Sequence, residues 1–96
     1  MRLEWDEQKR AENLKKHGLD FADALKVLTA DYRMDMSVIR NGEQRTVSFA
    51  CVADELTVWC LVHTHRLDAY RIVSFRKAHE KERSLYHEWK NQIQNF

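Results

Sequence analysis

The sequence predicts an α+β domain: a small antiparallel sheet with two N-terminal helices packed on it and a third helix at the C-terminus. Three observations carry this expectation. From Tyr32 to Arg76 apolar residues alternate with polar ones in successive short stretches, the period of strands with one face buried. Asn41-Gly42 falls between the first two stretches, a residue pair suited to a tight hairpin turn. On either side of this block the period becomes helical, with Phe21, Ala24, Leu25 and Leu28 before it and Ala78, Leu85, Trp89, Ile93 and Phe96 after it. Hairpin-connected strands flanked by helices pack economically as one antiparallel sheet with the helices grouped against it.

Taken in order, Arg2-Leu-Glu-Trp5 reads as a short strand. Asp6 is the N-cap of a helix from Glu7 to about Lys16, whose acids come early and lysines late, as the helix dipole favours. Gly18 ends it in the left-handed conformation. Only Ala11 and Leu14 offer an inward stripe, so this helix lies mostly on the surface. Asp20 caps a second helix, with Asp23 completing a capping-box-like pair. Tyr32, Met34, Met36 and Val38 then alternate with Arg33, Asp35 and Ser37, a strand with one wet face at a sheet edge. Val47, Phe49 and Cys51 alternate with Thr46, Ser48 and Ala50 on the next strand. Leu56 to Val62 is apolar on both sides, as expected of a central strand. The last strand runs from about Tyr70 to Arg76, and the final helix from about Ala78 to Gln94. If Asp54-Glu55 is a two-residue turn, Cys51 pairs with Val58 and Cys60 with Phe49. The sulfurs are then diagonal, a poor geometry for a disulfide.

Ninety-six residues hold one modest core, so residues 1–96 are expected to form a single domain. A composition of 44% hydrophobic and 32% charged residues is that of an ordinary globular protein. Glu4, Asp6 and Glu7 crowd the start, and the apolar run from Val58 to Val62 is far shorter than the roughly 20 residues of a membrane span. Neither a signal peptide nor a membrane segment is expected, and the protein is placed in the cytoplasm. No CxxC or HxxxH spacing occurs, so no metal site and no cofactor are expected.

The net charge of +1 gives little global attraction to a polyanion. Its distribution is uneven, with 9 basic and 11 acidic side chains in residues 1–62 against 7 and 4 in residues 63–96, where four of the five histidines also lie. The strand-to-helix passage holds Arg76, Lys77, His79, Glu80, Lys81, Glu82 and Arg83, a shelf that faces an anion or, more blandly, a solvated helix face.

The residues resemble the BrnT ribonuclease toxins of bacterial type II toxin–antitoxin modules. The resemblance rests on Trp5-Asp6-Glu7, Lys9, Asn13, Lys16-His17-Gly18, Phe21 and Ala24 near the start. Gly42-Glu43 with Arg45 continues it, followed by Thr64, Arg66, Arg71, Ser74, Arg76, Ala78, Glu82 and Tyr86. The chain departs from the pattern in having His63 before Thr64 and Phe75 in place of a small residue. A histidine that often precedes the Gly-Glu pair is also missing. The resemblance implies a RelE-like fold and metal-independent cleavage of RNA that arrests translation and growth. It also implies a cognate BrnA-like antitoxin with a ribbon-helix-helix part that binds operator DNA, in complexes of two toxins bridged by an antitoxin dimer.

Such cleavage needs a base near the 2′-hydroxyl, an acid near the leaving 5′-oxygen and cations around the phosphate. Arg71, Arg76 and Arg66 are the phosphate cations expected, because the guanidinium fork matches phosphate oxygens in pairs. On a regular strand Arg71 and Arg76 point to opposite faces, so both reach one phosphate only if the strand twists or ends early. Lys77, His79 and Arg83 extend the RNA-binding surface. For proton transfer His63 and His65 lead, with His63 or His65 as carrier and Glu82 orienting a cation. The alternative is Glu82 with Tyr86, one turn apart on the last helix. Blander roles stand beside these: an intrahelical ion pair for Glu82, a core aromatic for Tyr86, and a helix-terminal cation for His17. A second reading is a catalytically silent module that grips protein or nucleic acid through the same cations. The test between them is whether a titratable group stands within hydrogen-bond reach of the arginines.

Overall fold

The computed structural model describes residues 1–52 and 56–95. Strand β1 (Arg2–Glu4) leads into helix α1 (Glu7–His17), and a 3₁₀ turn (Phe21–Asp23) into the single-turn helix α2 (Leu25–Leu28). Four strands follow, β2 (Met34–Arg40), β3 (Glu43–Cys51), β4 (Val58–Arg66) and β5 (Ala69–Lys77), and then helix α3 (Glu80–Gln94). The sheet order is β1-β5-β4-β3-β2, with β4 at its centre and β2 at an edge.

Local signals act as the sequence predicts. The Asp6 side chain accepts the Lys9 N–H at 3.1 Å, and Gly18, at φ +73°, donates its N–H to the Leu14 carbonyl. Asn41 and Gly42 take φ values of +52° and +75°, the paired left-handed geometry of a tight hairpin. Cys51 stands opposite Val58 and Phe49 opposite Cys60, and both cysteines are free. The proposed Asp54-Glu55 turn and Phe96 lie outside the described residues.

The sheet is mixed rather than antiparallel, because β1 pairs in parallel with β5, Arg2 to Ala69 through Glu4 to Arg71. Alternation encodes a strand's faces and not its direction, and a three-residue strand carries too little pattern to reveal its partner. The second helix also differs from expectation. Its 3₁₀ turn has three residues per turn, so the inward set is Phe21, Ala24, Val27 and Leu28, while Leu25 is 39% exposed. Leu56 is exposed, and the central strand starts at Val58. In α1 both Ala11 and Leu14 are exposed, and the one buried residue is polar, Asn13. In α3 the stripe turns by one residue: Tyr86 is buried, Trp89 half-buried, and Leu85 and Ile93 are exposed.

Two cores lie on opposite faces of the sheet. The larger joins Phe21, Val27 and Leu28 to Ala50, Trp59, Leu61, Ile72 and Phe75; the smaller joins Phe49, Val58 and Cys60 to Ala78 and Tyr86 of the α3 segment. Phe75, a departure from the family pattern, therefore fills the larger core, edge-on to Trp59 at 5.3 Å between ring centres. The smaller core covers only part of its face.

Candidate active site

The uncovered part of the α3 face is a groove. Its floor is apolar, from Met36, Val38, Val47, Phe49, Val62 and Val73, and its walls are polar, from Arg40, Arg45, Ser74, Arg76 and Glu82. The cavity holds about 360 Å³, within the size range of ligand sites.

A β-bulge makes this concentration of charge possible. Val62 pairs with Ser74 and His63 with Ile72, so Val73 is one residue too many in β5. Thr64 pairs with Arg71 and Cys60 with Arg76. Since Cys60 and Thr64 share a face of β4, Arg71 and Arg76 share the same face of β5. A regular strand forbids that arrangement; the inserted residue restores it. Glu4 on the neighbouring β1 stands 4.0 Å from Arg71.

Arg76 does not project freely into solvent. Its side chain is 22% exposed, and its Nη1 and Nη2 donate to both carboxylate oxygens of Glu82 at 2.8 and 3.0 Å. Nη1 also donates to the Lys77 carbonyl at 3.2 Å. Glu82 in turn accepts the His79 N–H at 2.7 Å, one half of a capping box at the head of α3. The Arg76 hydrogen bond, then burial acting against it, holds the Glu82 carboxyl below its ordinary range, so Glu82 is ionised at neutral pH. Among the described residues, the Arg76 Nε–H and the second Nη2–H have no protein acceptor. Those two donors form the side-on fork that fits two oxygens of a phosphate. Arg45 donates to Glu43 at 2.9 Å and holds that carboxyl low as well.

Asn13 ties helix α1 to this strand. Its side-chain amide donates to the Phe75 carbonyl at 2.7 Å and accepts the Phe75 N–H at 3.1 Å, while also donating to the Leu19 carbonyl. Strand β1 pairs with only the first residues of β5, so Asn13 takes over the free edge where β1 has ended.

The other residues singled out in the sequence are dispersed. Arg66 lies on the groove face at the far end of β4, exposed and within electrostatic reach of Glu43. Lys77 pairs with Trp59 and belongs to the opposite face. His79 is the N-cap of α3, and Arg83 donates back to the Ala78 carbonyl at 3.3 Å. Tyr86 lies under α3 at 1% exposure, donating its hydroxyl to the Tyr32 carbonyl at 2.8 Å and accepting the Cys51 N–H. Burial pushes its hydroxyl above the ordinary tyrosine value.

Thr64, between His63 and His65, pairs with Arg71, so this end of β4 lies beside Arg71, but the two histidines share neither its face nor that of Arg76. They occupy alternate positions to Val62 and Thr64, on the other side of the sheet. His63 is 3% exposed, and its Nε2 is 2.8 Å from Ser48 Oγ, which donates to Asp35 at 2.6 Å. Because Ser48 gives its proton to the carboxylate, Nε2 carries the proton toward Ser48. Burial brings His63 down to about 4, with Asp35 opposing. His65 is exposed and stacked on Tyr70 at 4.9 Å.

Sequence reasoning about the site passed over Arg40, and took Arg45 and Ser74 only as parts of a pattern. The signal was present: Arg40 and Glu43 flank the Asn41-Gly42 turn as a pair, and Arg45 follows at the strand period.

The groove thus brings three arginines together on one face of a small α+β sheet. The family model for the ribonuclease toxin BrnT of type II toxin–antitoxin systems matches residues 5–82. The chain therefore belongs to the BrnT ribonuclease toxins, and it acts on RNA and has a cognate antitoxin. No curated protein matches the chain.

Proposed function

We propose that the chain is a metal-independent endoribonuclease that works in the groove of Arg40, Arg45, Ser74 and Arg76. The observation that carries this is the half-used guanidinium of Arg76. Glu82 locks one edge of it in place, and among the described residues the Nε–H and second Nη2–H of this groove-lining side chain have no acceptor, which leaves them for a phosphate. A cation fixed before substrate arrives stabilises the charge that grows on the phosphate without reorganising during the reaction. Arg71 and Arg66 continue the same face and guide the flanking phosphates. Glu82 orients Arg76 and, held ionised, is unsuited to trade protons. Lys77, His79 and Arg83 contribute at most to the RNA-binding rim. With its hydroxyl buried and shared between two backbone groups, Tyr86 serves as an anchor for α3. His63 and His65, on the other face, take no part in the reaction.

A silent binding module is the weaker reading, since the family model that matches residues 5–82 is one of ribonuclease toxins. The partner proposed is a BrnA-like antitoxin with a ribbon-helix-helix part, in a complex of two toxins and two antitoxins. The RelE-like kinship, the single-domain organisation and a cytoplasmic location belong to the same reading. Among the described residues no helix is long and apolar enough to cross a membrane. The test is cleavage of a model RNA by purified protein with and without EDTA. Full activity in EDTA, lost in Arg76→Ala, is expected; dependence on added divalent ions contradicts the metal-free chemistry.

A further inference from the structure

Cleavage requires a proton acceptor beside the phosphate cation, and the residues above leave that role empty. Helix α1 supplies a candidate. Asn13 is fixed to the backbone of Phe75, the residue before Arg76. His17 lies one helical turn further along the same face of α1, next to the Gly18 cap. One turn advances about 6 Å along a helix, close to two residues of a strand. That places His17 over the Arg76 end of β5, where α3 also begins. The ring is half-buried, neither sunk in the core like His63 nor free like His65.

We propose that His17 is the general base of the cleavage reaction. The inference rests on the reading that the Arg76 groove cleaves RNA. In the step, the 2′-hydroxyl gives its proton to a ring nitrogen of neutral His17, and its oxygen forms a bond to the adjacent phosphorus. The bond from phosphorus to the 5′-oxygen breaks, and the leaving oxygen takes a proton from water. The products are a 2′,3′-cyclic phosphate and a 5′-hydroxyl, and the imidazolium then returns its proton to water.

The surroundings keep this base ready. The charged groups that reach His17 are Lys16 on its own helix, Arg76 on β5 and His79 at the head of α3. Burial first, then these three cations, hold His17 below the ordinary histidine value of 6.5. A histidine lowered in this way is neutral, and able to accept a proton, throughout the neutral range.

The experiment is the pH dependence of kcat/KM on a short single-stranded RNA, from about pH 4.5 to 9, because this ratio reports the free enzyme's titrating groups. It is measured for the parent, His17→Gln and Arg76→Ala, together with an NMR titration of the His17 ring. The parent should show an acid limb centred below 6.5 that coincides with the ring titration. His17→Gln should fall about 100-fold or more and lose the limb. Arg76→Ala should also be slow but keep the limb, shifted to higher pH because a neighbouring cation is gone. If His17→Gln cleaves within about threefold of the parent and keeps its limb while Arg76→Ala is inactive, the assignment of His17 fails and the groove stands. If Arg76→Ala cleaves normally, the groove reading fails instead. A ring titration that does not coincide with the limb overturns the assignment even if His17→Gln does not fold.

Discussion

The two faces of this sheet carry similar residues to different ends. On the face under α2, polar groups are folded into the core and paired with one another: Asp35 with Ser48, Ser48 with His63. On the face under α3, the core stops halfway, and Arg40, Arg45 and Arg76 surround an open cavity with an apolar floor. Burial separates the two. His63 is 3% exposed and held at about 4, whereas the Arg76 guanidinium stands at a groove wall with two N–H groups that meet no acceptor among the described residues. Residue type nominated histidines and arginines alike; position relative to the pleat puts them on opposite faces.

The largest expected effect tests the open face. Arg76→Ala should reduce RNA cleavage by about 10² to 10³, the usual cost of one preset charge-stabilising group. Overexpressed alone, the parent should arrest growth and the variant should not. Because Arg76 also ties β5 to α3 through Glu82, the variant's melting point must be recorded alongside. A variant that loses activity only because it has unfolded removes the support for this role.

The packed face should answer through stability instead. His63 is neutral when folded and takes up a proton below about 6.5 when unfolded, so between about 6.5 and 4 the unfolded chain binds more protons. The contribution is present above 6.5 and is lost as pH falls toward 4, by on the order of 3 kcal/mol in all. In His63→Gln this part of the pH dependence should vanish while cleavage at pH 7.5 stays within a few-fold of the parent. Urea unfolding at several pH values checks the first, and an RNA cleavage assay the second.

Asn13→Ala should destabilise by about 2–3 kcal/mol, because it strands the Phe75 N–H and carbonyl at a buried strand edge. Tyr86→Phe should cost less, about 1–2 kcal/mol, and leave cleavage nearly intact. A large loss of activity in folded Tyr86→Phe would return Tyr86 to the chemistry. The smallest effect is expected at Leu67, which sits at φ +53° in the β4–β5 turn with its side chain exposed. Leu67→Gly should stabilise by about 1 kcal/mol by removing the left-handed penalty, as thermal melting would show.

What was legible in the sequence follows from which signals are local. The Asp6 and Gly18 caps, the Asn41-Gly42 turn and the edge position of β2 depend on short-range chemistry, and they stand as read. The pairing of Cys51 with Val58 was also readable, since hairpin register follows from loop length. The bulge at Val73 was not, because no glycine or proline marks it, and that one residue decides which face Arg71 shares. Asn13 stood in the sequence only as part of the family pattern, and its role was not legible for a related reason: a buried polar residue on a helix looks like a surface residue until its partner strand is known. The groove was thus half legible. Arg76 and Glu82 were singled out in the sequence, while Arg40 and Arg45 needed the topology that gathers them on one face.

The central claim is that RNA meets the α3 face and not the α2 face. A non-cleavable 2′-deoxy analogue of a short RNA, titrated into isotopically labelled protein, tests it directly by NMR. The account predicts that the Arg45, Arg71 and Arg76 side-chain N–H signals and the His17 ring move together, while the His63 and Trp59 rings do not. Movement of the His63 ring, with the arginine signals unchanged, would contradict it.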